Sequence, residues 1–187
     1  MSTGPFDIIV MDPPWHFASN SVAKPGRNAR RHYPTMRDDD LRALAVADMA
    51  AKPCLLFMWT TAPMLRRAIT IPEAWGFRYV TGMIWPKQRI GTGYWARNQH
   101  EHILVCKRGR FPWPGTAPFP SSLIAGAQRE HSRKPEALQD RIDVVWPEAL
   151  KLEMFARRAR RGWTAWGNET GKFDEDERDS NSMQGGM

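Results

Sequence analysis

Short apolar runs alternate with helix-like stretches along this chain of 187 residues, and this alternation constrains the fold more than any other feature. The apolar runs cover residues 6–11, 54–59, 79–85, 102–106, 150–155 and 163–166. Helical patterns cover residues 35–50 and 135–145. Strands that alternate with helices form a parallel sheet with helices on both faces. We therefore predict a single α/β domain with a doubly wound, mostly parallel sheet, which fits a chain of this length.

Charge is unevenly distributed along the chain. The net charge is +7, but residues 171–187 hold only two cations against five acids. Residues 1–170 therefore carry a net charge of +10. We expect the folded domain to cover 1–170 and the polar, acidic segment 171–187 to be disordered. A basic domain of this kind favours a polyanionic partner such as nucleic acid, and the nine tryptophans suit stacking on bases.

The two cysteines and the hydropathy pattern exclude several classes of protein. Cys54 and Cys106 lie in apolar runs without the spacing of a zinc site, which predicts a reducing compartment and no metal. No apolar stretch reaches the length of a membrane span, and the first residues lack the pattern of a signal peptide. We therefore expect a cytoplasmic protein that has no membrane partner.

The tetrapeptide Asp12-Pro13-Pro14-Trp15 directly follows the first apolar run. A strand of a parallel sheet delivers its carboxyl end to the crevice where α/β folds bind ligands. Prolines have no amide hydrogen, so we expect their carbonyls to remain available as acceptors beside the Asp12 carboxylate. Trp15 offers a ring for stacking. The group could hold a flat base that carries an exocyclic amine; the alternative is an Asp-Pro turn with Trp15 in the core.

Two further clusters carry charge at positions that suit a ligand. Glu153 interrupts an apolar strand, where a carboxylate is costly to bury unless a partner such as a ribose diol or Arg157 compensates it. Lys134 precedes a helix that begins near Pro135, a position that suits an anionic group or simply a solvated lysine. A polar pair, Asn168 and Glu169, follows the last predicted strand.

Taken in order, these motifs resemble one known family over residues 6–169. The motifs are Asp12-Pro13-Pro14-Trp15, Tyr33-Pro34-Thr35-Met36, Phe57-Met58-Trp59, Gly93-Tyr94-Trp95, His131-Ser132-Arg133-Lys134-Pro135, the run from Lys151 to Arg157, and Trp166-Gly167-Asn168-Glu169. The chain resembles the N6-adenine methyltransferases whose eukaryotic members modify adenosine in messenger RNA and whose bacterial and phage relatives act on DNA. The resemblance implies S-adenosylmethionine as methyl donor. It also implies a Rossmann-like fold in which the catalytic motif precedes the main donor-binding strand.

The resemblance assigns roles to individual positions. Asp12 and the Pro13 carbonyl would hold the adenine amine, with Pro14 and Trp15 completing the catalytic motif. Positions implied to bind the substrate are Tyr33, Trp95 and Glu101. Positions implied to bind the donor are Asp12, Lys134, Glu153, Phe155, Arg157, Asn168 and Glu169. Among them, Lys134 would meet the carboxylate of the donor, and Glu153 and Arg157 would engage its ribose.

Two basic blocks lie next to these motifs and suggest contact with phosphates. The first contains Lys24, Arg27, Arg30 and Arg31, and the second contains Arg157, Arg158, Arg160 and Arg161. Either block could instead be a solvated surface. We expect methylation of adenine in DNA, with RNA as the alternative polymer. A catalytically idle nucleic-acid-binding subunit is a further alternative, and the resemblance leaves a homodimer or a heterodimer open.

Overall fold

The computed structural model describes residues 4–16, 35–93, 95–113, 121–128, 133–168 and 170. Its strands are β1 (Phe6–Met11), β2 (Ala50–Thr60), β3 (Arg78–Pro86), β4 (His100–Arg108), β5 (Lys151–Met154) and β6 (Trp163–Trp166). Its α-helices are α1 (Asp38–Arg42), α2 (Val46–Met49), α3 (Leu65–Thr70) and α4 (Ala137–Val145). Two short 3₁₀ turns, Ala62–Met64 and Pro72–Trp75, flank α3. No helix in the described part of the chain is both long enough and apolar enough to cross a membrane.

The six strands form one mixed sheet in the order β3-β4-β2-β1-β5-β6. Strands β2, β1, β5 and β6 are parallel to one another, whereas β4 is antiparallel to both β2 and β3. The prediction of a mostly parallel α/β sheet is therefore confirmed. Because β4 is antiparallel, its first residues lie at the same edge of the sheet as the carboxyl ends of the parallel strands. This edge collects side chains from both kinds of strand.

The chain reverses the direction in which it adds strands at β1. Strand β2 lies on one side of β1, and β5 lies on the other. Helices α1 to α3 pack on one face of the sheet, and α4, which precedes β5, packs on the other, so a crevice opens at the carboxyl end of β1. Asp12 is the first residue after β1, so it lies at this crevice.

Alternating side chains of the central strands fill two cores. Ile9 and Met11 belong to the core on the face that α1 and α3 cover. Ile8 and Val10 belong to the core on the other face, together with Leu138 and other residues of α4. Successive side chains of a strand point to opposite faces, so an apolar run without polar interruptions indicates burial on both faces. The doubly wound arrangement follows from this pattern.

The predicted helix over residues 35–50 is wrong in its extent. Two short helices, α1 and α2, occupy the segment, and β2 already begins at Ala50. A turn separates them, in which the Leu44 amide donates to the Leu41 carbonyl at 3.1 Å. Pairing of Ala50 with Phe6 of β1 then makes residues 50–53 part of the sheet. The need to bury Leu41 and Val46 and to reach β1 overrides local helix propensity.

Candidate active site

One cleft lies at the carboxyl edge of the parallel strands, on the face of the sheet that α4 covers. It contains about 640 Å³ of unfilled space, including the part open to solvent. Its lining comprises Val10, Asp12, Trp59, Arg133, Lys134, Glu136, Gln139, Glu153, Phe155, Arg157, Arg158 and Arg160. Val10 pairs with Glu153 in the register between β1 and β5, and Asp12 lies two residues beyond Val10. Because side chains two residues apart share a face, the two acids line the same cleft.

The residues after Asp12 are held by hydrogen bonds that the sequence did not predict. The Pro13 carbonyl accepts from the Trp15 amide at 2.8 Å, and the Pro14 carbonyl accepts from the Met36 amide at 2.8 Å. Both carbonyls, which we expected to remain available as acceptors, therefore already accept one hydrogen bond each. A carbonyl oxygen has two lone pairs, so the Pro13 oxygen retains the capacity for a second hydrogen bond.

Trp15 lies in the core rather than in the cleft. It is only 5% exposed, and its indole Nε1 donates to the Trp59 carbonyl at 3.1 Å. The interpretation of Trp15 as an open stacking platform is therefore wrong for this conformation, and the alternative of a core tryptophan is correct. Its burial and this hydrogen bond fix the segment after Asp12 against the end of β2. Trp15 thus positions the catalytic motif.

A row of alternating charges connects Lys87 to Asp12 through Glu101 and Lys134. Lys134 Nζ lies 2.9 Å from Asp12 Oδ2 and 3.1 Å from Glu101 Oε2, and Lys87 Nζ lies 2.5 Å from Glu101 Oε1. The side chains of Glu101 and Lys134 are only 7% and 14% exposed. Lys134 also lies 5.7 Å from the ring centre of Trp59, over its face. Removal from water is costly for these charges, and mutual pairing offsets that cost.

The pairing determines the ionisation of the buried groups. Burial favours the neutral form of Glu101, but the ammonium groups of Lys134 and Lys87 outweigh it and hold the pKa of that carboxyl below its ordinary value. Burial likewise disfavours the charged form of Lys134, but Asp12 and Glu101 raise its pKa well above the ordinary value. Both side chains are therefore charged at neutral pH. The sequence did not single out Lys87, because a lone lysine after a strand carries no signal of its partner.

Glu153 projects from β5 into the other side of the cleft. Burial raises the pKa of its carboxyl above the ordinary value, and the hydrogen bond from Gln139 only partly opposes this shift. Gln139 Nε2 donates to Glu153 Oε1 at 3.1 Å. Gln139 was not among the predicted site residues. A polar residue next to Leu138 on the apolar face of the predicted helix could have indicated it.

The turn after β5 brings Phe155 and Arg157 to the cleft. Phe155 has a φ of 61°, which is in the left-handed region, and its ring meets Trp166 at 5.4 Å between centroids. Gly167 lies against this turn, where an added Cβ would come within 3.1 Å of the Phe155 Cα and the Ala156 nitrogen. Neither backbone atom can move aside, so glycine at this position permits the close approach.

Two of the four arginines after Phe155, Arg158 and Arg160, face acids at the start of α4 and within it. Arg158 lies 2.5 Å from Glu136, while Arg160 lies 2.6 Å from Asp140 and 2.8 Å from Asp143. These ion pairs hold the segment that carries Arg157 against α4. Their charge is largely matched within the protein, which weakens the interpretation of this block as a phosphate-binding surface. Contact with acids one helix turn apart could be seen only in the tertiary structure.

Two further predicted positions, Trp95 and Asn168, are not brought to the cleft. Trp95 is fully exposed at a turn closed by the hydrogen bond from the Gly91 amide to the Asn98 carbonyl, at 2.8 Å. Asn168 is exposed just after β6 and is absent from the cleft lining. Other predicted positions lie outside the described residues, namely Lys24, Arg27, Arg30, Arg31, Tyr33, Glu169 and the segment 171–187.

The sheet has its crevice where the strand order reverses, and Asp12, Lys134 and Glu153 converge there. These are the features of a Rossmann-like methyltransferase. Residues 6–169 match the model of the MT-A70 family. The match covers nearly all of the chain, and the chain belongs to this family.

Individual relatives show how the similarity is distributed. The type II methyltransferase M.MunI of Mycoplasma sp. is 33% identical over 180 residues, which cover 88% of this chain and 77% of that protein. The N(6)-adenosine-methyltransferase MT-A70-like protein of Arabidopsis thaliana is 32% identical over 89% of this chain but only 24% of its own length. The N(6)-adenosine-methyltransferase catalytic subunit METTL3 of Homo sapiens is 27% identical, over 28% of its length. The chain thus spans most of the bacterial relative and about a quarter of the eukaryotic ones.

Proposed function

We propose that this protein transfers a methyl group from S-adenosylmethionine to the N6 amine of adenine in DNA. The reaction class is that of an adenine-N6 methyltransferase, in keeping with its family. The observation that carries the proposal is the position of Asp12, which β1 delivers to the cleft within 2.9 Å of Lys134 and on the same face as Glu153. An amine acceptor and candidate donor-binding groups therefore line one cleft.

The residues of the cleft fit the proposed donor. Glu153 is a half-buried acid with a single hydrogen bond from Gln139 among the described residues, so it can accept from ribose hydroxyls. Lys134 would meet the carboxylate of the donor, and Phe155 and Arg157 border the same space. A buried oxygen of Gln139 also lacks a partner among the described residues. When bound, S-adenosylmethionine supplies a methyl group on a positively charged sulfur.

Asp12 and Pro13 would prepare the adenine amine for transfer. The nitrogen lone pair of this amine is conjugated with the ring, which makes it a poor nucleophile. Hydrogen bonds from its two N–H groups to the Asp12 carboxylate and the Pro13 carbonyl favour a tetrahedral nitrogen with its lone pair aimed at the methyl group. Lys134 orients the Asp12 carboxylate through its own hydrogen bond. Catalysis then rests on positioning and electrostatics.

DNA is the favoured polymer because the chain matches a bacterial type II methyltransferase over most of its length. The basic body of the protein supports a nucleic-acid partner. To reach an amine inside a duplex the enzyme must flip the base, at a cost of roughly a few kcal/mol, so single-stranded or distorted DNA is the easier substrate. The similarity to adenosine methyltransferases supports RNA as the second candidate.

The proposal includes a cytoplasmic location. Cys54 and Cys106 are buried free thiols, and burial raises the pKa of each to about 12. Both therefore stay protonated at neutral pH, which is compatible with a reducing compartment.

Transfer of a labelled methyl group tests the function directly. Purified protein is incubated with labelled S-adenosylmethionine and with single-stranded DNA, duplex DNA or RNA, each with and without adenine. We expect label in adenine-containing DNA only, recovered as N6-methyldeoxyadenosine after digestion to nucleosides. Preferential labelling of RNA would support the second candidate. Nucleic-acid binding without transfer to any polymer would identify an idle binding subunit instead.

Replacing Glu153 with glutamine separates stability from donor binding. The raised pKa of Glu153 in the folded state means that its contribution to stability is present at low pH and is lost as the pH rises through that pKa. We expect Glu153→Gln to be more stable than wild type at pH 7, with the difference vanishing near pH 4, in urea unfolding at both pH values. Affinity for S-adenosylhomocysteine should fall by at least about tenfold, because hydrogen bonds to a charged group are lost. Unchanged affinity would contradict the ribose assignment.

A further inference from the structure

Gln139 makes only half of the hydrogen bonds that its side chain can make. The residue lies in α4, is 6% exposed and lines the cleft. Its Nε2 donates to Glu153 Oε1 at 3.1 Å, while its Oε1 is fully buried and has no partner among the described residues. The Glu153 carboxylate fixes this orientation of the amide, because two facing oxygens would repel each other.

A buried oxygen without a partner is unfavourable. Leaving such a group unsatisfied lowers stability, and folded proteins rarely tolerate it without a reason. The position of Gln139 on an otherwise apolar helix face makes the cost avoidable, since an apolar side chain would pack there beside Leu138 and Ile142. The arrangement is therefore explained most simply if a ligand in the cleft supplies the missing donor.

We propose that Gln139 Oε1 accepts a hydrogen bond from a ribose hydroxyl of the methyl donor, next to the hydroxyl that Glu153 accepts. The identity of the ligand rests on the proposed function. The two polar atoms of one carboxamide share a carbon, so Oε1 lies close to the Glu153 carboxylate that Nε2 contacts. A vicinal diol presents two hydroxyl donors side by side, and therefore matches two neighbouring acceptors.

Gln139 thus has two roles at one position. Its amide nitrogen holds the Glu153 carboxylate in place, and its oxygen contacts the ligand. These roles can be distinguished because only the second depends on a particular hydroxyl of the ligand. A substitution that merely disturbs the packing of α4 would weaken the binding of all related ligands alike. One that merely disturbs Glu153 would lose its effect with the deoxy ligand that lacks the hydroxyl bound by Glu153, and Glu153→Gln identifies that ligand.

The test combines Gln139→Met with ligands that lack one hydroxyl. Methionine has a similar length and removes both polar atoms. Binding of S-adenosylhomocysteine and of its 2′-deoxy and 3′-deoxy forms is measured by calorimetry. We expect Gln139→Met to weaken binding of the parent ligand by about tenfold, as for the loss of one hydrogen bond to a neutral group and some disorder of Glu153. Glu153→Gln, measured with the same ligands, should have a clearly smaller effect with one of the two deoxy ligands, and Gln139→Met should have a clearly smaller effect with the other.

Two further variants make the result unambiguous. Gln88→Met is the matched control, because Gln88 is exposed outside the cleft, and it should bind all three ligands as wild type does. Gln139→Glu keeps an acceptor oxygen in nearly the same shape. It should bind more weakly overall, through repulsion with Glu153, but should still discriminate against the same deoxy ligand. Circular dichroism verifies that each variant is folded.

The outcomes separate this inference from the proposed function. If wild type binds the parent ligand but Gln139→Met weakens all three ligands equally, weakens none, or loses its effect only with the deoxy ligand that Glu153→Gln also singles out, Gln139 does not contact the ribose and the inference is overturned alone. If wild type does not bind S-adenosylhomocysteine, the donor assignment fails and this inference fails with it.

Discussion

Replacing Asp12 with alanine should abolish methyl transfer while leaving the protein folded. Asp12 is the proposed acceptor that turns the adenine amine toward the methyl group, and no other carboxylate of the cleft follows β1. Loss of one preorganised group of this kind costs about 10²–10³-fold in rate, and we expect kcat to fall by at least that factor. The rate is measured with labelled donor under single-turnover conditions.

The fold should tolerate this substitution because Asp12 lies at the mouth of the cleft. Its side chain is 32% exposed, and Lys134 retains its second partner, Glu101. Unfolding by urea should therefore change little. Asp39→Ala is the matched control, since the Asp39 side chain is almost fully exposed on α1, far along the chain from the cleft motif. Substantial transfer by folded Asp12→Ala would show that the amine site is assigned to the wrong residue.

Replacing Lys134 with methionine should destabilise the protein as well as weaken donor binding. Lys134 lies between Asp12 and Glu101, so its removal leaves a buried carboxylate that only Lys87 still neutralises. Breaking a buried ion pair by removing one partner costs about 3–5 kcal/mol. Because Glu101 keeps its pair with Lys87, we expect the free energy of unfolding to fall by about 3 kcal/mol, the lower end of this range, in urea unfolding at pH 7.

The effect of this substitution should depend on pH in a defined direction. The pKa of Glu101 is lowered in the folded protein, so its pairing stabilises the fold above the ordinary value of 4.5 and ceases to do so as the pH falls through the lowered pKa. The difference between wild type and Lys134→Met should therefore shrink steadily below pH 4.5. Lys52→Met serves as the control because Lys52 is exposed on β2. A difference that is independent of pH would indicate lost packing rather than lost charge pairing.

The sheet and its helices were predictable to a large extent because periodicity records burial. The apolar runs at 6–11 and 163–166 coincide with β1 and β6, and the helix predicted at 135–145 becomes Ala137–Val145. Where prediction failed, at 35–50, the tertiary pairing of Ala50 with Phe6 determined the local structure. Local sequence cannot show such a contact, because its partner lies more than forty residues away.

The site was predictable where a motif carried its own chemistry. Asp12, Lys134, Glu153, Phe155 and Arg157 do line one cleft, as a shared ligand would require. For Trp15 the sequence left two interpretations open, a stacking ring or a core residue. The structure places its side chain in the core, and its indole nitrogen donates a hydrogen bond to the end of β2. Whether an aromatic side chain is stacked on a ligand or buried depends on what surrounds it, and the motif alone does not specify this.

By itself, the sequence determined the order of strands and helices, the basic character of the domain, and the identity of an acid at the tip of the first strand. Only the tertiary structure decided which charges meet. The antiparallel direction of β4 brings Glu101 to the edge where Asp12 lies, and α4 brings Gln139 to Glu153. Burial strengthens each of these contacts, because an unpaired polar group is costly away from water. The acid that follows β1 is therefore a property of the sequence, whereas the charges and hydrogen bonds that hold the cleft together are properties of the fold.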